Sequence, residues 1–492
     1  MDKYIILILY FGALFLIGFL ASKKIKGLKD YYVGGKKMNY WMVAFSARAT
    51  GESSWLLLGL TGMGAMVGVK AFWVVVGEVL GVAIAWFLMA RRFKRLSDKY
   101  DSITIPDYLE SHFKSKSSLL RIIAAGTLAI FVTIYVSAQI DATGAAFESF
   151  LGWNYYTGAL VGFVIVVAYI FSGGFIAVAW SDVFQGLIIL LGLVLLPVIA
   201  FQTIENRGDF VSGFGDIDPS LLSIWGEGGP TLFNIMTIGG LAFIGLGFLG
   251  SPQVFVRFMS IKNEAEINKG RWVAIAFTLI TDSAAVLIGI VGRYVFTEAG
   301  QDPELIMGNA AQNVLPMLVD KTFSTLITGL FIAAVLSAIM STVDSLLVVA
   351  SSAVTRDYYQ KIKKPEVSEK SLLRMSRMVT LGIAFFALAI ALIVSVTTPE
   401  RTIFWFVIFG WSGIAGTFCP VIILSLFYKG CNEKGAIASM ITGFLGIPFF
   451  KFIAPTIPGI GIYFGELAEL FPAFALGILA GVLVSRLTRK PA

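Results

Sequence analysis

Apolar runs long enough to cross a bilayer recur from residue 4 to residue 485, and they constrain this chain more than any other feature. A helix needs about 20 apolar residues to span the roughly 30 Å hydrocarbon core. Backbone polar groups find no water there, so a spanning chain must be helical or close into a barrel. The period-two alternation of barrel strands is absent, which leaves an all-α polytopic membrane protein. Composition agrees: of 492 residues, 57% are hydrophobic and 14% charged, where soluble proteins carry about a quarter charged.

Runs near 4–21, 41–66, 72–90, 120–150, 157–172, 175–203, 233–257, 272–296, 323–355, 378–397, 403–428, 435–453 and 467–485 predict about thirteen helices. The first has no basic leader and no small-residue cleavage site, so it reads as a retained span. About 30 of the 38 Lys and Arg residues fall in the loops after spans 1, 3, 7, 9 and 11 and in the tail, and about 7 on the other side. For a plasma-membrane protein, the positive-inside rule then predicts an N-terminus outside and a C-terminus in the cytoplasm. No stretch reads as a soluble domain, so residues 1–492 are expected to form one membrane domain in contact with the lipid bilayer. The net charge of +7 is dispersed among loops, which argues against a nucleic-acid partner. His112 reads as a solvated loop residue, no zinc site is expected, and Cys419 and Cys431 are too few for a disulfide framework.

Charges and backbone breaks inside spans are costly, so each marks a candidate site. Span 2 carries a small, polar patch, Arg48-Ala49-Thr50-Gly51-Glu52-Ser53-Ser54-Trp55. Span 7 carries Gly245, Gly247, Gly250, Ser251 and Pro252, and the proline removes a helix hydrogen bond. Either segment alone could serve close packing or a kink. Two interrupted helices five spans apart match inverted repeats that hold a ligand between their broken helices. Span 9 aligns Ser337, Ser341 and Ser345 on one face, with Thr342 and Asp344 at its flank. Hydroxyls plus freed carbonyls suit a monovalent cation such as sodium, whereas a divalent metal attracts several carboxylates. Serines can also bond their own helix, but Asp344 needs a cation, a proton or a basic partner. Asp182, Asp141 and Glu78 are further acids in or near helices, and Glu52 stands at i,i+4 to Arg48, as a neutralising pair or as an ion-attracting group.

On these residues the chain resembles the sodium:solute symporter family, and within it the bacterial sodium/proline symporters. The likeness runs along nearly the whole sequence. It includes Asp30-Tyr-Tyr-Val-Gly-Gly35, Ser53 with Trp55-Leu-Leu-Leu-Gly59, Ile105-Pro-Asp-Tyr108, Thr133-Ile-Tyr135, Phe171-Ser-Gly-Gly174 with Trp180-Ser-Asp182, Gly245-Leu-Gly247 with Pro252, and Met340-Ser-Thr342. The resemblance implies a five-plus-five inverted-repeat core (spans 2–6, residues 41–203; spans 7–11, residues 233–428), with one helix before it and two after it at 435–485. It also implies sodium-coupled alternating access. Carried over by position, sodium would be held by the carbonyls of Ala49, Glu52 and Ala338 and the hydroxyls of Ser341 and Thr342. A second sodium would use Asp182, Ser341, Asp344 and Ser345, or Asp182 would have a structural or gating role. Substrate would lie near Ser53, Ser54, Trp55, Tyr135, Phe248, Ser251 and Pro252. The chain departs from the proline symporters at Gly51, where they carry an Asp, at Ile244, where they carry an aromatic, and at Phe248, where they carry a Tyr. On a helix, Glu52 is rotated by about 100° from position 51.

The expected function is a sodium-coupled symporter for a small organic solute, with proline first and another amino acid, a betaine, a sugar, pantothenate or sialic acid as alternatives. A channel or a solute sensor is the competing class. An enzyme is not expected, since no nucleophile–base pair or His-Glu zinc motif stands out.

Overall fold

The computed structural model describes residues 2–170 and 174–489; residues 171–173 of the Phe171–Gly174 motif lie outside the described residues. The helices are α1 (Asp2–Ser22), α2 (40–67), α3 (72–99), α4 (Leu119–Leu151), α5 (Tyr155–Ile170), α6 (Gly174–Gln202) and α7 (232–260). They continue as α8 (Glu264–Phe296), α9 (Thr325–Ser352), α10 (Glu369–Thr397), α11 (Ile403–Phe427), α12 (Glu433–Pro448) and α13 (Leu470–Leu487). Asn39, Thr231, Asn263, Thr402 and Asn432 cap α2, α7, α8, α11 and α12, each accepting a backbone N–H of the first turn. These caps satisfy donors that the start of a helix leaves orphaned.

Eleven helices among the described residues are long and apolar enough to cross a membrane, against about thirteen expected. The difference lies in two places. Residues Tyr40–Lys99, 60 in all, hold α2 and α3 with only a tight turn between them and so count as a single stretch, about 90 Å if it were straight. It reverses at Gly68, whose φ of +57° and ψ of −132° suit only glycine. A single glycine of α8, Gly270, therefore lies against both Tyr40 and Trp86. The apolar part of α5, Tyr155–Ala168, is shorter than a full span.

α2 packs against α6, α8 and α9, and α7 packs against α3 and α11. α4 lies against α9, α10 and α11, while α1 covers α6 and α9 and the α12–α13 pair covers α11. The broken helices α2 and α7 therefore sit inside the bundle. α3 and α7 meet backbone to backbone: a Cβ on Gly245 would lie 1.9 Å from the Gly77 carbonyl oxygen.

At the Lys/Arg-rich end, the guanidinium of Arg121 bonds Asp107 (2.7 Å), Asp357 (2.5 Å) and Glu110, and Arg356 bonds Asp107 at 3.2 Å. Burial works to raise the Asp107 carboxyl, but the charges of Arg356 and Arg121 outweigh it and hold the group below the usual carboxylate range. His112 is not a freely solvated loop residue; it is half-buried on the helix Ile105–Phe113, between the Tyr100, Tyr108 and Phe113 rings.

The Gly77–Gly245 contact leaves no room for a methyl group, so Gly245→Ala must push α3 and α7 apart. We expect it to cost about 1–3 kcal/mol, read as a lower melting temperature in detergent. Gly126→Ala, with nothing within 4 Å of the added atom, is the control and should leave the melting temperature unchanged or slightly raised.

Candidate functional site

The helix of α2 breaks at Ser53, where φ is +34° and ψ −168°. This conformation is strained for a residue with a Cβ and must be imposed by its surroundings. α4 supplies them. Gln139 Oε1 accepts the Ser54 N–H at 3.1 Å, and Gln139 Nε2 and the Tyr135 hydroxyl lie 3.4 and 3.5 Å from Ser53 Oγ. Trp55 Nε1 donates to the Gly51 carbonyl at 2.9 Å, and its ring meets Phe404 edge to face at 6.1 Å.

α7 is α-helical to Ala242, tightens to a 3-10 turn over Phe243–Leu249, and restarts at Pro252. Trp411 Nε1 donates to the Ile244 carbonyl at 3.0 Å and Cys419 Sγ to the Gly247 carbonyl at 3.3 Å, so α11 satisfies carbonyls that the break releases. Ser251 Oγ lies 3.8 Å from the Cys419 sulfur. The Phe248 ring meets Trp411 at a tilt of 54° and covers the Arg48 guanidinium at 4.6 Å, and a Cβ at Gly51 would touch it at 3.0 Å. Ser53, Ser54, Trp55 and Tyr135 thus form one wall, with Phe248 and Ser251 on the α7 side. Pro252 does not join them; it lines a separate small space with Tyr32, Thr104, Pro106 and Val348.

The hydroxyls of α9 reach α2 just before the break. Ser341 Oγ lies 2.9 Å from the Ala49 carbonyl and 3.2 Å from that of Ala338. Thr342 Oγ1 lies 2.9 Å from the Thr50 carbonyl and 3.1 Å from that of Ala338. Each hydroxyl has one hydrogen and several carbonyls in reach, so acceptors outnumber donors in a buried cluster of hard oxygens. Of the five residues named from the sequence, Ala49, Ala338, Ser341 and Thr342 come together. Thr50 joins them, and neither hydroxyl bonds the Glu52 carbonyl. The Glu52 side chain faces away, toward α3 and α8.

Asp182, Asp344 and Ser345 also converge, around a cation that the sequence reading did not place there. Arg257, on the half-helix after Pro252, sends Nη2 to Asp182 (3.1 Å), Thr50 Oγ1 (2.7 Å) and Ser345 Oγ (2.5 Å). Asp182 also accepts from Ser46 at 2.5 Å, and Asp344 Oδ1 lies 3.2 Å from Ser345 Oγ. Arg257 counts by position as a charge at the edge of a span, which hides its reach into the bundle.

A second buried charge cluster lies beneath Phe248. Arg48 bonds Glu52 through Nε at 3.0 Å and through Nη2, and Nη2 lies 3.6 Å from Glu78. Asp282 of α8 stands beside Glu52 in the same cluster. One guanidinium faces three carboxyl groups, all essentially inaccessible to solvent. Gln139 and Asp282 are polar residues within spans, beside Ser137 and Asp141 and between Thr281 and Ser283, a signal that could have flagged both. Phe404 and Trp411 are apolar residues within an apolar span and carry no such signal.

At the end opposite the Arg121 network, a vestibule of about 690 Å³ is lined by Leu58, Asp141, Tyr155, Asn309, Arg401 and Ile403, among others. Asp141 accepts from the Tyr155 hydroxyl at 2.5 Å and from Arg401. Leu58 is one turn beyond Trp55, and Ile403 precedes Phe404. The Trp55–Phe404 pair therefore stands next to the vestibule floor.

The family model of the sodium:solute symporter family matches residues 31–443. This chain belongs to that family. It is a multi-pass membrane transporter, a sodium-coupled symporter and not an enzyme. It is 35% identical over 489 residues to the osmoregulated proline transporter OpuE of Bacillus subtilis, covering 98% of this chain and 94% of that one. To the high-affinity proline transporter PutP of the same organism it is 35% identical over 480 residues, covering 97% and 96%. The fold matches a sodium-coupled sialic acid symporter solved in a substrate-bound, outward-open state, with a TM-score of 0.79 at 18% identity over 100% and 98% of the two chains. It also matches MhsT in complex with L-phenylalanine, at a TM-score of 0.52 and 15% identity over 90% and 98%. The symporter thus has the five-plus-five core that the resemblance implied and that the spacing of its two interrupted helices fits.

Arg48→Met would leave three buried carboxyl groups without their cation. Removing one partner of a buried pair costs about 3–5 kcal/mol, so a large fall in melting temperature is expected. Glu78→Gln, which loses only the 3.6 Å interaction, should melt close to the parent.

Proposed function

We propose that this symporter imports proline together with sodium by alternating access across a bacterial cytoplasmic membrane, with its N-terminus outside and its C-terminus inside. The observation that carries the reading is the reach of Ser341 and Thr342 to the carbonyls of Ala49 and Thr50, three to four residues before the Ser53 break. Sodium among those oxygens ties α9 to α2 and so fixes the geometry of the break. The solute then meets Ser53, Ser54 and the Tyr135 hydroxyl, with Trp55 as an apolar wall. If sodium raises solute affinity, solute must raise sodium affinity by the same factor. The moving units are the repeats at 41–203 and 233–428, with 435–485 peripheral. The proline transporters OpuE and PutP, alike over nearly the whole chain, support proline as the cargo. We assign the coupling to this one sodium position, because Arg257 supplies the positive charge that Asp182 faces. Asp182 then has a structural or gating role.

A different small solute is the second reading. The place where proline symporters carry an Asp is Gly51 here, closed by the Phe248 ring beside the Arg48 cluster.

Uptake of labelled proline into proteoliposomes decides between the two. Accumulation under an inward sodium gradient, and not under equal potassium or proton gradients, is expected. Accumulation without sodium removes the coupling scheme, and its absence in folded protein moves the cargo to another solute. Thr342→Ala should raise the sodium concentration for half-maximal uptake about tenfold or more, the scale of a lost charge-assisted contact; an unchanged sodium curve removes the proposed ion position. Trp55→Ala should raise the proline half-saturation constant with the sodium curve little moved, and an unmoved constant takes Trp55 out of the pocket.

A further inference from the structure

Where α3 runs toward the Lys/Arg-rich end, a groove of about 320 Å³ is lined by Phe87, Leu88, Arg91, Arg92, Arg95 and Phe427. Arg271 of α8 lies beside it, its guanidinium 4.6 Å from the centre of the Phe87 ring that forms part of the lining. Four guanidinium groups thus face one carboxylate, since Glu264 bridges Arg91 (3.1 Å) and Arg95 (3.0 Å). Arg92 and Arg271 pair with no acid among the described residues; the Arg92 guanidinium stands over the Phe427 ring, 4.7 Å from its centre. A stacked guanidinium keeps its N–H edge free for an anion while the ring fixes its plane. The local excess is therefore cationic and partly immobilised.

The same face of α3 turns apolar immediately below. Leu80, Ile84, Phe87 and Leu88 are exposed, and about 16 Å of helix separates Leu80 from Arg91. Exposed apolar side chains on a spanning helix meet acyl chains, and arginines one turn above them stand at the depth of phosphates. We propose that this groove seats an anionic phospholipid, its phosphate held by Arg92 and Arg271 and its chains lying on the Leu80–Leu88 face. A soluble anion matches the guanidinium groups but leaves the apolar half of the lining without a partner, so the lipid is the occupant that uses both. Basic pockets between helices at the Lys/Arg-rich membrane face have the charge and depth to hold such headgroups.

The test titrates the delipidated full-length protein in detergent with phosphatidylglycerol or phosphatidylcholine and counts retained lipid by native mass spectrometry. Phosphatidylglycerol should bind at least about tenfold tighter, and Arg92→Gln with Arg271→Gln should erase the difference. Phe427→Ala should weaken retention while keeping some anionic preference, because the guanidinium groups remain. If the double variant melts early, Arg92→Gln alone carries the test, with a preference reduced to a few fold. Equal binding of the two lipids by the parent, or an unreduced preference in the arginine variants, overturns the proposal. So does displacement of bound phosphatidylglycerol by millimolar inorganic phosphate, which makes the groove a free-anion site.

Discussion

Every backbone group that leaves a helix at membrane depth must find a partner inside the protein. Here that constraint organises the bundle. α2 breaks at Ser53 and α7 between Ala242 and Pro252, and neither break could face lipid. Both are therefore enclosed, and the residues that enclose them do so by hydrogen bonding as well as by packing. Gln139 receives the Ser54 amide, and Trp411 and Cys419 donate to the carbonyls of Ile244 and Gly247. A bundle that merely buried apolar faces would have no reason to place an amide, an indole and a thiol at these three points.

The enclosed breaks create the second problem, buried charge. The bundle answers it by sharing cations. Arg257 faces Asp182 and bonds Thr50 Oγ1, while the carbonyl of that same Thr50 lies 2.9 Å from Thr342 Oγ1. One residue of α2 is thereby held from α7 through its side chain and from α9 through its backbone. Any shift of the α7 half-helix relative to α9 must pull on Thr50, three residues before Ser53. That gives a physical route from the proposed ion position to the break, and it does not require the ion and the solute to touch. The Arg48 cluster acts on the other side of α2, tying it to α3 and α8.

The broken helices, the serine face of α9 and most of the residues that gather at the breaks were legible in the sequence, because glycine, proline and hydroxyl residues inside apolar runs have few structural excuses. The sequence could not tell which way a side chain turns once the helix unwinds. Glu52 stands between Gly51 and Ser53, and spacing alone leaves it free to face the ion position; the pairing with Arg48 turns its side chain toward α8 instead. Arg257 was hidden because a charge at the end of an apolar run reads equally as a loop residue or as the end of a re-entering half-helix. Phe404 and Trp411 were invisible for the opposite reason, since nothing separates a site aromatic from a packing aromatic within an apolar span. The reversal at Gly68 was legible as the gap between the runs 41–66 and 72–90, whereas the short apolar part of α5 left the span count open.

The distribution of seals follows from what each must survive. At the Lys/Arg-rich end the closure is ionic, with Arg121 and Arg356 against Asp107 and Asp357, and at the vestibule Arg401 pairs with Asp141. At the centre it is aromatic, with Trp55 against Phe404 and Phe248 against Trp411. Ion pairs can be opened to water at modest cost, because hydration replaces much of what the partner supplied, and Asp107 stays ionised with its carboxyl held low by the two arginines. An apolar seal forfeits its stabilisation when water enters. In an alternating-access cycle the two ends must each be wetted in turn, whereas the centre must exclude water whenever solute is held. Ionic ends and an aromatic middle are the arrangement in which each closure can meet the conditions at its own depth.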